Sequence, residues 1–140
     1  MPVLRIERDS RGIATLTLDR AESRNALSAE LVGQLTEALE SLASDPSIRV
    51  MKLTGAGKVF CAGADIGEMR AAGAATVNRN EADSRRFALM LESLERLPQP
   101  TIAMVNGAAY GGAVGLVAAC DIAIAANSAR LALSEVRLGL

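Results

Sequence analysis

Two short stretches near the start of the chain alternate between apolar and polar residues. Residues 3–8 and 13–19 have this period of two, which predicts a pair of β-strands. The sequence Asp-Ser-Arg-Gly at positions 9–12 is typical of a tight turn, so we expect a hairpin. The positions expected to share a face within each strand are Leu4 and Ile6 in the first, and Ala14, Leu16 and Leu18 in the second.

The next segment has apolar residues at helical spacing. Apolar residues recur every three or four positions over residues 29–44, Ser28 is suited to cap that helix, and Asp45-Pro46 ends it. The apolar stripe consists of Leu31, Leu35, Ala38, Leu39 and Leu42. Residues 49–54 then predict another strand, and residues 55–65 have the small-residue composition of a loop.

The second half repeats this alternation of strands and helices. Residues 66–80 show no clear period, and we expect them to be mobile. A helix is predicted for residues 81–97, with Phe87, Leu91, Leu94 and Leu97 on one side. The remaining predicted elements are a strand at 101–105, a turn at 107–112, a short buried helix at 113–119, and strands at 121–125 and 130–133. This order predicts an α/β architecture with crossover connections and a ligand site beside the loops that leave the strands.

Residues 101–120 form an uncharged run of 20 residues, which is long enough to cross a bilayer. The run is rich in alanine and glycine, Asn106 interrupts it, and Asp121 follows it directly. We therefore expect a strand, a glycine turn and a buried helix here, and no membrane partner. Charges begin at residue 5, so the start of the chain does not resemble a secretory signal, and we expect a cytoplasmic location.

The amino-acid composition restricts the kinds of catalytic and metal-binding site that this sequence can form. The 140 residues include no histidine, which excludes a Ser-His-Asp or Cys-His catalytic unit and any histidine-bound metal within this sequence. The net charge of −1 gives no reason to expect nucleic acid as a partner. Cys61 and Cys120 have neither metal-site nor redox spacing and are expected to be small buried residues. Acid–base chemistry would therefore depend on carboxylates.

Two loops containing glycine follow predicted strands, at residues 54–65 and 106–115. Neither fits a Walker A loop or a dinucleotide-binding fingerprint. Small residues allow a backbone to approach a ligand, and two N–H groups directed at one oxygen form an oxyanion hole. Such loops are more often simple turns, so spacing alone leaves both interpretations open.

Four segments, in the same order as in the family, resemble the crotonase, or enoyl-CoA hydratase/isomerase, family. They are residues 24–27 (RNAL), 57–66 (GKVFCAGADI), 106–121 (from NGAAYGGA to ACD) and 133–140 (LSEVRLGL). The resemblance implies a crotonase-like spiral of ββα units and an acyl-CoA thioester as the substrate and small-molecule partner. It implies no separate cofactor, because coenzyme A is part of the substrate, and no metal.

The resemblance also assigns site residues. The backbone N–H groups of Ala64 and Gly112 would form the oxyanion hole, and Glu135 would be the catalytic acid/base. Leu133, Val136 and Leu138 flank Glu135, so we expect apolar surroundings for it, although a glutamate that lies at the surface or is salt-bridged with Arg137 is the alternative. The positions expected to contact the substrate or its CoA are Arg24, Ala26, Ala62, Asp65, Ile66, Tyr110, Gly111 and Gly115.

For some residues near the expected site, a structural or solvated role is the alternative to contact with the substrate. Arg20 and Arg24 would suit the CoA phosphates or would simply be solvated. Asp65 is expected to hold its loop or cap the next helix. Tyr110 would line the acyl pocket or pack against neighbours.

The sequence departs from the family pattern at one important position. Hydratases of this family commonly use two glutamates, and the one that would activate water falls on Gly115 here. The leading hypothesis is hydration of a 2-enoyl-CoA, with a 3-methylglutaconyl-CoA-like substrate, because the segments from Gly115 and Leu133 onward are most similar to such hydratases. A Δ3,Δ2-enoyl-CoA isomerase, which needs only one base, is the enzymatic alternative.

The third hypothesis comes from length. Family members are about twice as long, so residues 1–140 are expected to be the N-terminal core of a crotonase-like domain without its C-terminal helical region. The chain would then be a fragment, or a truncated, non-catalytic CoA-binding or assembly module with an exposed apolar face. A full-length form is expected to be a homo-oligomer, either a trimer or a dimer of trimers.

Overall fold

The computed structural model describes residues 2–139. Strands β1 (Leu4–Arg8) and β2 (Ile13–Leu18) form the predicted antiparallel hairpin. The predicted apolar face of β2 is fully buried. On β1, which is an edge strand of the sheet, Leu4 is buried but Ile6 is 42% exposed, so the predicted apolar face is only partly buried.

Helix α1 (Ala29–Ala43) agrees with its prediction. The Ser28 side chain accepts a hydrogen bond from the Leu31 N–H and caps the helix. All five residues of the predicted stripe are buried. Strand β3 (Val50–Gly55) follows within one residue of the expected bounds.

The expectation for residues 66–80 is wrong in part, because two helices occupy most of this segment. Helix α2 (Ile66–Ala72) is capped by Asp65, and α3 (Val77–Glu95) is capped by Thr76 and begins four residues earlier than predicted. Helix α2 has no buried residue, so it lacks the apolar face that hydrophobic periodicity detects.

The uncharged run from residue 101 onward divides as expected. It forms β4 (Thr101–Val105), the two-residue strand β5 (Ala109–Tyr110) and α4 (Gly112–Ala119). Strands β6 (Ile122–Ala125) and β7 (Leu131–Ala132) follow. Among the described residues, no helix combines the length and hydropathy that a bilayer crossing requires.

The strands form two layers. The main sheet has the order β1-β2-β3-β4-β6 and is parallel from β2 onward. The second layer consists of the parallel pair β5–β7, with isolated parallel bridges joining Leu27 to Ala64 and Cys61 to Ala109. The segments that leave β2, β3 and β4 therefore meet in this second layer, where the predicted site residues lie.

The last part of the described chain exposes an apolar face. Every residue of β6 is exposed, and large apolar side chains are exposed both in β6 and in the residues after it. These side chains, which we call the C-terminal apolar face, are Ile122, Ile124, Leu131, Leu133, Val136 and Leu138. The expected exposure of an apolar face is therefore found.

Candidate active site

Two asparagines hold the loop that follows β3. Asn25 is fully buried, and its side-chain N–H₂ donates to the carbonyl oxygens of Ala56 and Val59, each at 2.9 Å. Asn106 donates in the same way to the carbonyls of Gly55 and Gly57. The backbone of residues 55–59 is therefore fixed by side chains from two other loops, which sets the path of the chain toward Ala64.

Ala64 and Gly112 line the same cavity, and the hydrogen bonds around them leave their backbone N–H groups without an acceptor in the described part of the chain. The bridge between Leu27 and Ala64 is formed by the residues on either side of Ala64. The Leu27 N–H donates to the Gly63 carbonyl, and the Leu27 carbonyl accepts from the Asp65 N–H. Gly112 is the first residue of α4, where N–H groups lack intrahelical acceptors. Within residues 2–139, neither the Ala64 nor the Gly112 N–H donates a hydrogen bond.

Glu135 reaches this position through the second sheet layer. The Gly111 N–H donates to the Ala132 carbonyl at 2.9 Å, in register with the β5–β7 pair. The chain then turns into a 3₁₀ helix (Ser134–Leu138) that directs the Glu135 carboxyl group back toward Gly111. A Cβ built on Gly111 would contact Glu135 Oε1 and lie 3.0 Å from its Cδ. The Glu135 carboxyl group is therefore adjacent to the residue that precedes the free Gly112 N–H.

A cavity of about 480 Å³ connects these groups. Gly112, Ala64 and Glu135 lie on its wall together with parts of α1, α2 and α3. The Phe87 ring of α3 closes the cavity near Gly112, since a Cβ at position 112 would lie 3.0 Å from Phe87 Cζ. The volume is within the range of small-molecule sites, which is roughly 300–1,000 Å³.

The surroundings of Glu135 differ from the expectation. Glu135 is half-buried, but Leu133 is 62% exposed and Val136 and Leu138 are each 74% exposed. The flanking apolar residues therefore do not enclose the carboxyl group, because no other described element packs over them. Within residues 2–139, Glu135 has no salt bridge, so the alternative of a salt-bridged glutamate is not supported either.

Asp65 and Arg20 form an ion pair. The Arg20 guanidinium donates to Asp65 Oδ2 at 3.1 Å, and both side chains are mostly buried. Burial opposes ionisation of Asp65, but hydrogen bonds from the Glu68 N–H and Arg20 more than offset it and lower its pKa. Asp65 also caps α2, as predicted. Arg20 is engaged in this ion pair and does not present a free cation toward a phosphate.

The predicted CoA-contact residues lie in two groups. Arg24 is exposed, and its carbonyl accepts a hydrogen bond from the Ala62 N–H at 3.0 Å, so these two positions are adjacent. Ala26 is buried, and its carbonyl already accepts hydrogen bonds from Arg20 and from the Ser28 N–H.

The other predicted contacts lie closer to α2 and α4. Ile66 is 68% exposed at the start of α2. Tyr110 is half-buried, and its carbonyl packs against Gly63. Gly115 faces α3, where a Cβ would meet Leu91 Cδ1 at 3.3 Å, and it does not line the cavity.

The thiols of Cys61 and Cys120 are expected to be unreactive near neutral pH. Burial raises the pKa of Cys61 and that of Cys120 to about 11, so both remain protonated near neutral pH. Among the described residues, no three carboxylates or thiols cluster as a metal site would require.

Sequence reasoning missed Asn25, Asn106 and Glu68. The Glu68 carboxylate accepts the Ala29 N–H through both oxygens, at 2.8 and 3.0 Å, and so joins α2 to the start of α1. The sequence around a polar loop residue does not indicate whether that residue is buried. Contacts between residues 30 or more positions apart leave no pattern in the local sequence. The Asn-Gly pair at positions 106–107 was the only available hint, and it indicated a turn.

Comparison with known proteins gives consistent matches. The family model for enoyl-CoA hydratase/isomerase matches residues 8–140. The human mitochondrial methylglutaconyl-CoA hydratase is 35% identical over 139 residues, which cover 99% of this chain and 40% of that protein. The enoyl-CoA isomerase/hydratase fer4 of Mycosarcoma maydis is 39% identical over 138 residues, covering 92% of this chain and 49% of that protein.

Solved structures agree with these matches. The crystal structure of an enoyl-CoA hydratase from Mycobacterium smegmatis has a TM-score of 0.95 and 42% identity, covering 100% of this chain and 54% of that one. The chain therefore spans about half the length of the relatives and structures that it matches.

Proposed function

Because the chain belongs to the enoyl-CoA hydratase/isomerase family and has its crotonase-like fold, we propose that it supplies the reaction centre for hydration of a 2-enoyl-CoA. One observation carries this proposal. The Glu135 carboxyl group lies beside Gly111, and Glu135, Ala64 and Gly112 line one cavity, where the Ala64 and Gly112 N–H groups donate no hydrogen bond to any atom of residues 2–139. This is the set of groups that proton transfer beside a thioester carbonyl requires.

The proposed reaction has two steps. The Glu135 carboxylate accepts a proton from water as the water oxygen bonds to C3, and the C2–C3 π electrons move to form an enolate with its charge on the thioester oxygen. The Ala64 and Gly112 N–H groups stabilise that oxygen by donating hydrogen bonds. The protonated Glu135 then returns its proton to C2, which restores the carboxylate and leaves a 3-hydroxyacyl-CoA.

The backbone donors supply most of the proposed electrostatic stabilisation. Removal of one such donor costs about 2.7–4 kcal/mol of transition-state stabilisation in comparable sites. Since backbone amides do not depend on side-chain identity, alanine and glycine suit these positions.

The substrate class is also a proposal. Human methylglutaconyl-CoA hydratase is among the relatives, which supports a branched, 3-methylglutaconyl-CoA-like acyl group and a role in leucine degradation. We propose that the exposed Arg24 and the neighbouring Ala62 contact the CoA moiety, with Ala26, Ile66 and Tyr110 beside it. No cofactor beyond the substrate's own CoA is needed.

A second candidate, Δ3,Δ2-enoyl-CoA isomerisation, is favoured by Gly115, which leaves no carboxylate at the position where hydratases of the family commonly have a second glutamate. A Cβ built at this position would lie 3.3 Å from Leu91 Cδ1. In this reaction Glu135 removes a proton from C2, the electrons form a dienolate, and the protonated Glu135 delivers the proton to C4.

We further propose that the site acts within an assembly. Leu133, Val136 and Leu138 of the C-terminal apolar face flank Glu135 in the chain, so a surface that covers them would also enclose the site. A homo-oligomer built as a trimer or a dimer of trimers, in the cytoplasm, is the form proposed from the family resemblance. Analytical ultracentrifugation tests the assembly, and a monodisperse monomer with full activity would contradict it.

The experiment for the reaction supplies crotonyl-CoA and 3-hexenoyl-CoA separately to the protein, and it identifies a hydrated product by mass spectrometry and an isomerised product by chromatography and the ultraviolet absorbance of the conjugated thioester. Hydration predicts a mass gain of one water from crotonyl-CoA. Isomerisation alone predicts conversion of 3-hexenoyl-CoA to the conjugated 2-enoyl ester with no change in mass. Conversion of neither ester would refute both proposals.

A further inference from the structure

The direction of the Ala64 N–H is set by the peptide group to which it belongs. The Gly63 carbonyl and the Ala64 N–H are part of one planar peptide, and they point in opposite directions because residues 2–139 contain no cis peptide bond. The Leu27 N–H donates to the Gly63 carbonyl at 2.8 Å. A contact that holds the Leu27 N–H in place therefore also aims the Ala64 N–H.

The same relation applies to the peptide group that contains the Leu27 N–H. The Ala26 carbonyl belongs to that peptide, and Arg20 Nη1 donates to this carbonyl at 2.6 Å. The Ser28 N–H also donates to it, but at 3.0 Å and without a charge. A continuous chain of hydrogen bonds thus runs from the Arg20 guanidinium through two peptide groups to the Ala64 N–H.

The Arg20 side chain has a fixed position. Its Nη1 and Nη2 atoms lie 3.2 and 3.1 Å from Asp65 Oδ2, and the side chains of Arg20 and Asp65 are only 18% and 19% exposed. On the backbone, the Arg20 N–H donates to Asn25 Oδ1 at 2.9 Å, and the Arg20 carbonyl accepts from the Asn25 N–H. Because Asn25 is fully buried, both ends of Arg20 are anchored in the protein.

A cation at the start of this chain strengthens the donor at its end. A hydrogen bond from an ionised donor is roughly twice as strong as one between neutral groups, and bonds linked in a chain polarise one another. The guanidinium draws electron density from the Ala26 carbonyl, so the N–H of the same peptide becomes a stronger donor. The second peptide passes this effect on to the Ala64 N–H.

We propose that Arg20 is a positioning residue for the oxyanion hole, since its guanidinium aims and polarises the Ala64 N–H through two peptide groups without touching the substrate. This inference rests on the proposed function in one respect, namely that a thioester oxygen accepts a hydrogen bond from Ala64. The Gly112 N–H, at the start of α4, is not part of this chain. Loss of the guanidinium is therefore expected to weaken one of the two donors.

The first measurement follows the thioester carbonyl of a bound ester that cannot react. Butyryl-CoA labelled with carbon-13 at the carbonyl is bound to the native protein and to Arg20→Met, and isotope-edited infrared spectra give the C=O stretching frequency. Hydrogen bonds to the oxygen lower this frequency below that of the free ester. In Arg20→Met the frequency is expected to return toward the free value by up to about half of the native shift, because one of two donors is affected.

The second measurement is the steady-state turnover of whichever ester, crotonyl-CoA or 3-hexenoyl-CoA, the native protein converts. A misdirected donor loses stabilisation mainly in the transition state, so Arg20→Met is expected to lower kcat roughly tenfold and to change KM less than about threefold. Asp65→Asn removes the anion that anchors the guanidinium and is expected to change the frequency and kcat in the same direction. This second variant covers the case in which Arg20→Met does not fold.

Two controls separate positioning from general effects. Thr101 begins β4, at the end of this strand away from the site, and its Oγ1 accepts the Asp121 N–H at 2.9 Å. Thr101→Val is therefore expected to lower Tm but to leave the carbonyl frequency and kcat as they are. Arg11 pairs with Asp9 in the exposed turn between β1 and β2, so Arg11→Met is expected to change neither the frequency nor kcat.

The inference is overturned if Arg20→Met, or Asp65→Asn where Arg20→Met does not fold, keeps the native carbonyl frequency or a kcat within about twofold of the native value. It is also overturned if Thr101→Val shifts the frequency as much, or if the native protein does not lower the frequency at all. Failure of the proposed function gives a different result. The native protein then converts neither crotonyl-CoA nor 3-hexenoyl-CoA, while the carbonyl frequency of bound butyryl-CoA still responds to Arg20→Met.

Discussion

Replacement of Gly111 by alanine would displace the Glu135 carboxyl group with a measurable effect on activity. Gly111 has φ 58° and ψ −123°, a type II′ turn conformation that strongly favours glycine, so we expect a cost of about 1–3 kcal/mol in the free energy of unfolding. The new Cβ would also overlap Glu135 Oε1. Because this atom ends a flexible side chain, the overlap is relieved by movement of the carboxyl group, with little further loss of stability.

The cost in activity follows from that movement. Displacement of a reacting group by about 1 Å lowers the rate roughly 100-fold, so kcat/KM for crotonyl-CoA should fall by about that factor. Gly12 provides the control, since it has φ 81° in the turn between β1 and β2 and does not line the cavity. Gly12→Ala should therefore cost at least about 1–2 kcal/mol of stability with little change in kcat/KM.

Urea denaturation and the crotonyl-CoA hydration assay, run on both variants, test this reasoning. The expected pattern is a similar loss of stability in the two variants and a loss of activity in Gly111→Ala alone. Equal kcat/KM values for the two variants would refute the placement of Glu135 against Gly111.

Three other predictions concern the framework of the site. Asn25→Ala removes three buried hydrogen bonds and should lower the free energy of unfolding by about 3 kcal/mol, measured by urea denaturation. Because the pKa of Asp65 is lowered in the folded state, its carboxylate stabilises the fold when the pH is above the unfolded-state pKa. That contribution disappears as the pH falls through the folded-state pKa. Asp65→Asn should therefore weaken the dependence of Tm on pH below about 4. With pKa values of about 11, Cys61 and Cys120 should resist iodoacetamide at pH 8 in the native protein and react in urea, as intact mass would show.

The sequence predicts the elements that have a buried apolar face. The stripe on α1 and the alternation in β2 each correspond to a side that packs in the core, so period and burial agree. Helix α2 was missed for the same reason, because its side chains are not buried and only its Asp65 cap indicates where it begins.

The geometry of the candidate site was not predictable from the sequence. The family resemblance assigns Glu135 and Gly112 to the site, but spacing alone does not bring two segments 23 positions apart into contact. The two-residue pair β5–β7 does so, and strands this short have no period to detect. The exposure of Leu133 and its neighbours was likewise not predictable, because flanking apolar residues reveal burial only when another element covers them.

The central claim is that Glu135 transfers the proton. The most direct measurement is the crotonyl-CoA hydration rate of Glu135→Gln beside that of Glu37→Gln, which neutralises an exposed carboxylate on α1 away from the cavity. Glu135→Gln is expected to lose roughly 100- to 10,000-fold in kcat while it still binds butyryl-CoA, and Glu37→Gln is expected to keep the native rate. Hydration by Glu135→Gln at the native rate would show that Glu135 does not transfer the proton.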